Sequence, residues 1–165
     1  MEFDPETSLG LAAQHIEQGR LELAVAVLRP AAACCERVGS TIVELARLYA
    51  GLQLHARAQL WYECCVALQP HATDAWLGLA RLHLDRGDAD MALLIWNGLL
   101  DRYPRLEAAL FYSAWALRYT SPAEAVCRLA RLLQHAAPDS LYRRGGRELM
   151  KRMRQRCAAK AGRLA

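Results

Sequence analysis

The 165-residue chain has no run of about 18 consecutive apolar residues, so no segment is expected to cross a membrane as a helix. Its start, Met1-Glu2-Phe3-Asp4-Pro5-Glu6, is acidic and lacks the basic-then-apolar layout of a secretory leader. The six cysteines form no C-x-x-C pair. Adjacent cysteines, as in Cys34-Cys35 and Cys64-Cys65, are poorly placed to bridge each other or to share one tetrahedral metal ion. Together with Cys127 and Cys157 they read as reduced thiols, small apolar core residues of a cytoplasmic protein. A zinc site drawing on Cys64, Cys65, His55 or His71, and redox sensing, are the alternatives.

The motifs of common chemistries are missing as well. There is no glycine-rich phosphate loop, no H-E-x-x-H and no G-x-S-x-G, and Gly145-Gly146 stands without the lysine and spacing that cradle a phosphate. The histidines are scattered. The sequence therefore points to no catalytic residues, no metal and no cofactor, and the chain reads as a non-enzyme. Val, Ile and Thr are scarce, which argues against strands.

What the chain has is alanine and leucine. With 54% hydrophobic and 23% charged residues it is globular in composition and long enough to bury a core. Ala and Leu lose little freedom in a helix, so an all-α fold is expected.

A period of 34 residues organises the apolar and small residues. Residues 73–106 carry Trp76, Leu79, Ala80 and His83, then Gly87, Ala92, Trp96 and Pro104. One period earlier the same slots hold Ile42, Leu45, Ala46, Tyr49, Ala58, Tyr62 and Pro70. Another period back they hold Ser8, Leu11, Ala12, His15, Gly19, Ala24 and Leu28; one period forward, Leu110, Ser113, Ala114, Leu117, Val126 and Pro138. The fourth unit is degenerate around Thr120-Ser121-Pro122.

This pattern resembles the tetratricopeptide repeat, W-x2-L-G-x2-Y…A-x3-F…P, with Ala for Gly and His for Tyr in the clearest unit. The resemblance covers residues 5–140 and implies a right-handed α-α superhelix, a solenoid of about four helical hairpins. The units run 5–38, 39–72, 73–106 and 107–140, with a basic capping helix and tail over 141–165. Physically, small residues such as Ala80 and Ala92 let paired helices approach, and Leu79, Trp96 and Leu99 fill the seams. Gly87 makes the turn, Asp88 caps the next helix, and Pro70 and Pro104 end units. Pro30 is expected to kink or split the second helix near Arg29, with Ala31–Arg37 forming a second short piece. The first unit has Glu36 where a terminal proline belongs. His15 and His83 stand in the tyrosine slot, where packing is the expected role.

Partners of tetratricopeptide proteins lie in the concave groove lined by the first helix of each repeat, and the resemblance carries that groove onto named positions. Its fifth slot holds Leu9, Val43, Leu77 and Phe111. The ninth holds Ala13, Arg47, Arg81 and Trp115. The twelfth holds Ile16, Ala50, Leu84 and Arg118, with Tyr119 beside the last. Slots three or four residues apart share a helix face. Leu9, Val43, Arg47, Leu77, Arg81, Leu84, Phe111, Trp115 and Tyr119 are thus the candidate groove, apolar except for a short arginine ladder suited to carboxylates. The expected partner is a helix or extended peptide with apolar anchors and acidic groups. Phe111 and Trp115 could instead be covered by the C-terminal helix. The Lys and Asn that clamp chaperone tails in some relatives are missing from Leu9, Val43, Arg47 and Leu77.

Residues 141–165 hold Arg143, Arg144, Arg147, Lys151, Arg152, Arg154, Arg156, Lys160 and Arg163 against Glu148, a net +8 in a chain of +4. Residues 1–140 are thus acidic overall. Leu149, Met150, Met153 and Cys157 recur at helical spacing, so an amphipathic helix is expected after Gly146, acting as a cap with a solvated basic face. Docking of that face on nucleic acid, an anionic membrane or an acidic protein are the other readings. Few aromatics accompany the basic run, which argues against single-strand recognition. The near absence of lysine, two of 21 basic residues, suggests a GC-rich bacterial genome. The functional reading is a cytoplasmic adaptor or chaperone-like protein, similar in architecture to small secretion chaperones. A self-associating structural assembly factor is the rival.

Overall fold

The computed structural model describes residues 4–35 and 37–161, with side chains described to residue 156. Readings that involve Met1–Phe3, Glu36, Arg163 and the side chains of Cys157 and Lys160 lie outside the described residues. The described elements are all helices: α1 (Pro5–Glu17), α2 (Leu21–Cys34), α3 (Arg37–Gly51), α4 (His55–Leu68), α5 (Thr73–Asp85), α6 (Ala89–Arg102), α7 (Glu107–Leu117), α8 (Pro122–His135) and α9 (Leu141–Ala161). They divide into two compact units, one ending at Gly87 and the other starting at Asp88.

In the first unit α1 pairs with α2 and α3 with α4, while α2 lies on both helices of the second hairpin and α5 closes on α3 and α4. Helix α4 is therefore covered from several sides, which is why two adjacent residues, Cys64 and Cys65, can both be buried. In the second unit α7 is the central helix, paired with α8 and touched by α6 and α9.

The small slots do what the period asks of them. Ala12, Ala46, Ala80 and Ala114 on the first helices are fully buried, as are Ala24, Ala58 and Ala92 on the second helices. A side chain larger than a methyl at these places would force its helix off its neighbours. The turns repeat too. Gly19, Gln53 and Gly87, spaced by the period, all have positive φ, at 70°, 61° and 86°. Left-handed backbone there lets the chain close each helix with a reversed hydrogen bond, such as Arg20 N–H to the His15 carbonyl and Leu54 N–H to the Tyr49 carbonyl. Glycine adopts this conformation freely, whereas Gln53 has a Cβ that disfavours it. Gln53→Gly is expected to raise the unfolding free energy by about 0.5–1 kcal/mol, read as a higher denaturant midpoint; a lower midpoint would mean that the side chain matters more than the backbone. Asp88 accepts the Met91 N–H and so caps α6, and Trp76 donates to the Pro70 carbonyl at 3.0 Å.

Four expectations need correction. Helix α2 runs unbroken through Pro30 to Cys34. Proline removes one hydrogen bond, to the carbonyl of Ala26, but Ala26 is exposed, so water can serve that carbonyl. Burial of Leu28 and Ala31 on either side of the proline holds the helix on its neighbours.

The fourth hairpin has slipped by one residue. Helix α8 begins at Pro122, and its fourth residue Ala125 is fully buried, whereas Val126 is 38% exposed. Proline at the first helical position fixes that start, because its ring presets a helical φ.

Helix α9 begins at Leu141, not after Gly146. Both glycines lie inside it, where the helix runs against α7 and α8. A Cβ on Gly146 would lie 2.9 Å from Leu132 Cδ2, and one on Gly145 would lie 3.0 Å from Phe111 Cε2.

The cysteines do not all belong to the core. Cys64 and Cys65 are buried, but Cys34 and Cys127 are exposed, because they stand on the outward faces of α2 and α8. Burial pushes the Cys64 thiol up to about 12, aided by Cys65, and burial with the charge of Asp74 pushes Cys65 to about 11. Both groups bind their protons more tightly when folded. Their contribution is complete below the unfolded thiol value of about 9 and is lost as pH rises through 11 to 12. A thiol reagent at pH 8 is expected to modify Cys34 and Cys127 quickly and Cys64 and Cys65 only on unfolding, as peptide mapping would show. Rapid labelling of Cys64 in the folded chain would contradict that burial.

Candidate functional site

The expected groove residues fall into two sets, one in each unit. In the first unit Leu9 on α1, Leu77 and Leu84 on α5 are half-buried, Val43 on α3 is buried, and Arg47 and Arg81 are exposed. Val43 is only 6% exposed, so it supports this face more than it offers an anchor. Arg47 and Arg81 converge on Tyr62 of α4. Burial pushes the Tyr62 hydroxyl above the usual phenol value, while the two guanidinium charges and a hydrogen bond from Arg47 oppose the rise. The ring of Tyr62 lies over Gly78 of α5, where a Cβ would stand 2.2 Å from Cε1. The missing side chain at Gly78 thus lets Tyr62 reach between the two arginines.

This face is less purely basic than the ladder suggests. Arg81 lies 3.9 Å from Asp85, one turn along α5. Beside Arg47 an open cleft of about 410 Å³ is lined by Val43, Glu44 and Arg47 of α3 and by His71, Thr73 and Asp74. It offers charge of both signs. Leu48 and Leu52, 65% and 70% exposed, also stand on the surface of this unit; a lone exposed leucine has no periodic signature in the sequence.

In the second unit Phe111, Trp115 and Tyr119 have different fates. Phe111 is half-buried, with its ring centroid 5.9 Å from that of Tyr142 on α9 and 5.3 Å from that of Tyr112. The C-terminal helix therefore covers it. Trp115 and Tyr119 remain 37% and 60% exposed. They border a cleft of about 520 Å³ whose other walls are Arg118 and Pro122 on one side and Leu149, Arg152, Met153 and Arg156 of α9 on the other.

The basic tail residues divide by role once α9 is seen to start at Leu141, one full period after Glu107 opens α7. Helix α9 thus stands where the first helix of a further repeat would stand. Gly145, Gly146, Leu149 and Met153 face α7 and α8. Arg144, Arg147, Lys151 and Arg154 are exposed, and Arg147, Lys151 and Arg154 border a shallow cleft beside Leu133 of α8. The slots that would meet a partner helix are charged, as expected of a polar cap on a repeat array. Arg143 donates to the Ala136 carbonyl at 2.7 Å and so ties down the end of α8. Arg152 and Arg156 turn instead toward Trp115 and Tyr119.

Among the described residues no group of three or more His, Cys, Asp or Glu is placed to hold a metal ion, and no helix is long and apolar enough to cross a membrane.

Helical hairpins repeating every 34 residues, with small residues at their crossings and a charged last helix among the described residues, define an all-α fold of tetratricopeptide-like repeats. The fold is that of a tetratricopeptide repeat protein from Parabacteroides merdae, which it matches with a TM-score of 0.62 at 17% identity over 92% of this chain. The chain spans 60% of the length of that structure. No protein-family model matches the sequence, and a search of curated proteins gives no match.

Proposed function

We propose that this chain is a non-catalytic protein-binding module, an adaptor or chaperone-like protein that holds a segment of another polypeptide against the first helices of its repeats. The observation that carries the reading is the pair Arg47 and Arg81, exposed on α3 and α5 and set around the buried Tyr62, with half-buried Leu77 and Leu84 on the same helix as Arg81. Guanidiniums beside apolar side chains suit a partner helix or extended segment with apolar anchors and acidic groups. The five described cysteines, Cys34, Cys35, Cys64, Cys65 and Cys127, are free thiols, which fits a reducing compartment such as the bacterial cytoplasm.

Affinity capture from the native cell followed by mass spectrometry identifies the partner. Arg47→Glu/Arg81→Glu is expected to lose that partner while still unfolding cooperatively, with a melting temperature lowered only by the loss of the Arg47–Tyr62 hydrogen bond and the exposed Arg81–Asp85 pair. Undiminished capture by the double variant removes this face from the account.

A further inference from the structure

The cleft between the end of α7, the start of α8 and α9 has a composition that sets it apart from the first unit's face. Three arginines line it and no carboxylate does. The Arg118 guanidinium lies 4.1 Å from the centroid of Trp115 and 4.3 Å from that of Tyr119, and the Arg156 guanidinium lies 4.5 Å from Tyr119. Stacking holds a planar guanidinium by its face and leaves the N–H donors at its edge available. Arg118 uses one donor on the Trp115 carbonyl, which anchors it at the end of α7. Hydrogen bonds from Arg118 and its charge, then a hydrogen bond from Arg156, hold the Tyr119 phenol below its usual value.

The third cation, Arg152, pairs with Glu148 at 2.9 Å, with side chains 66% and 54% exposed. An ion pair that open to water is weak and exchanges readily. Trp115, 37% exposed, and the exposed Pro122 supply the apolar lining, over a floor of the buried Leu149 and Met153. The cleft's volume of about 520 Å³ falls in the range that encloses a small group of atoms rather than a whole helix.

We propose that this cleft is a second binding site, which takes a protein segment carrying an apolar side chain flanked by Asp or Glu. The apolar group lies against Trp115 and Pro122 over the floor formed by Leu149 and Met153, and the carboxylates meet the edges of Arg118, Arg152 and Arg156. Carboxylates are favoured over nucleic acid because the aromatic faces on which a base would stack are already covered by guanidiniums. The inference rests on the reading of the chain as a protein-binding module, but it uses residues of the second unit alone.

The test is fluorescence anisotropy of the full chain with a labelled peptide of a dozen residues, in which one Leu-Phe pair is flanked by glutamates. Saturable binding is expected, weakened about tenfold or more when glutamines replace the glutamates, and again in Arg152→Glu and in Arg118→Gln/Arg156→Gln. Arg105→Glu, a charge reversal at an exposed position between α6 and α7 that does not line the cleft, should bind the peptide within about twofold of wild type. A loss confined to the cleft arginines therefore reads this site, while partner capture by Arg47→Glu/Arg81→Glu reads the first unit's face. Arg152→Glu, at an exposed position on α9, keeps the test valid if the other variant folds poorly. Equal binding of the glutamine peptide, full binding by Arg152→Glu, or tighter binding of a phosphoserine-bearing glutamine peptide or of single-stranded oligo-dT would each overturn the proposal.

Discussion

Replacing Gly78 with alanine is expected to destabilise the chain by about 2–3 kcal/mol, against the usual trend for a glycine inside a helix. At an unconstrained helical site the same change gains about 1 kcal/mol, because alanine gives up less backbone freedom on folding. Here the new Cβ would stand 2.2, 2.4 and 2.7 Å from Cε1, Cζ and the hydroxyl oxygen of Tyr62. A buried ring cannot retreat by more than an ångström without leaving its place between α4 and α5. The displaced ring would also take its hydroxyl away from Arg47 and Arg81. Tyr62→Leu removes the clash, so the double variant should be more stable than the sum of the two single losses, by at least about 1 kcal/mol in a double-mutant cycle. A Gly78→Ala chain that melts higher than wild type would show that the ring is not seated there.

The second large effect concerns the seat of α9. Gly146 is buried, and its nearest neighbour is the far end of a flexible side chain, Leu132 Cδ2 at 2.9 Å. A methyl can be met by a small turn of that leucine and is helped by helix propensity, so Gly146→Ala should be nearly neutral. Gly146→Val adds two γ-methyls that reach further toward Leu132 and Leu129, and should cost about 2–3 kcal/mol. Because α9 carries Arg152 and Arg156, the valine variant should also weaken the glutamate peptide, while the alanine variant binds it normally. Equal stability of the two variants would mean that α9 does not approach α7 and α8 so closely.

The repeat was legible in the sequence because it is written in the sizes of side chains. Ala12, Ala46, Ala80 and Ala114 recur at the period and are all fully buried, as close packing of helices asks of those slots. The turn at Gln53 was less visible, since its backbone conformation is the same as at Gly19 and Gly87 while its side chain gives no sign of it. The slip in the fourth unit comes from Pro122, which starts α8 one residue early and moves the buried alanine from position 126 to 125.

The start of the C-terminal helix is hard to read in the sequence for a similar reason. A Gly-Gly pair weakens an isolated helix, but Gly145 and Gly146 are needed where Phe111 and Leu132 come close. The second cleft depends on that start. Counting one period onward from Trp115, Arg118 and Tyr119 gives Leu149, Arg152 and Met153, three of its walls. That relation is present in the sequence and becomes visible once Leu141 is taken as the start of another first helix.

Hydrogen exchange with mass spectrometry, comparing the free chain with its complex with the captured partner, bears most directly on the claim that the first helices carry the binding surface. Slowed exchange is expected in peptides spanning α3, α5 and α9, with little change in α2 and α8. Protection confined to α2 and α8, with α3 and α5 exchanging as in the free chain, would contradict the account.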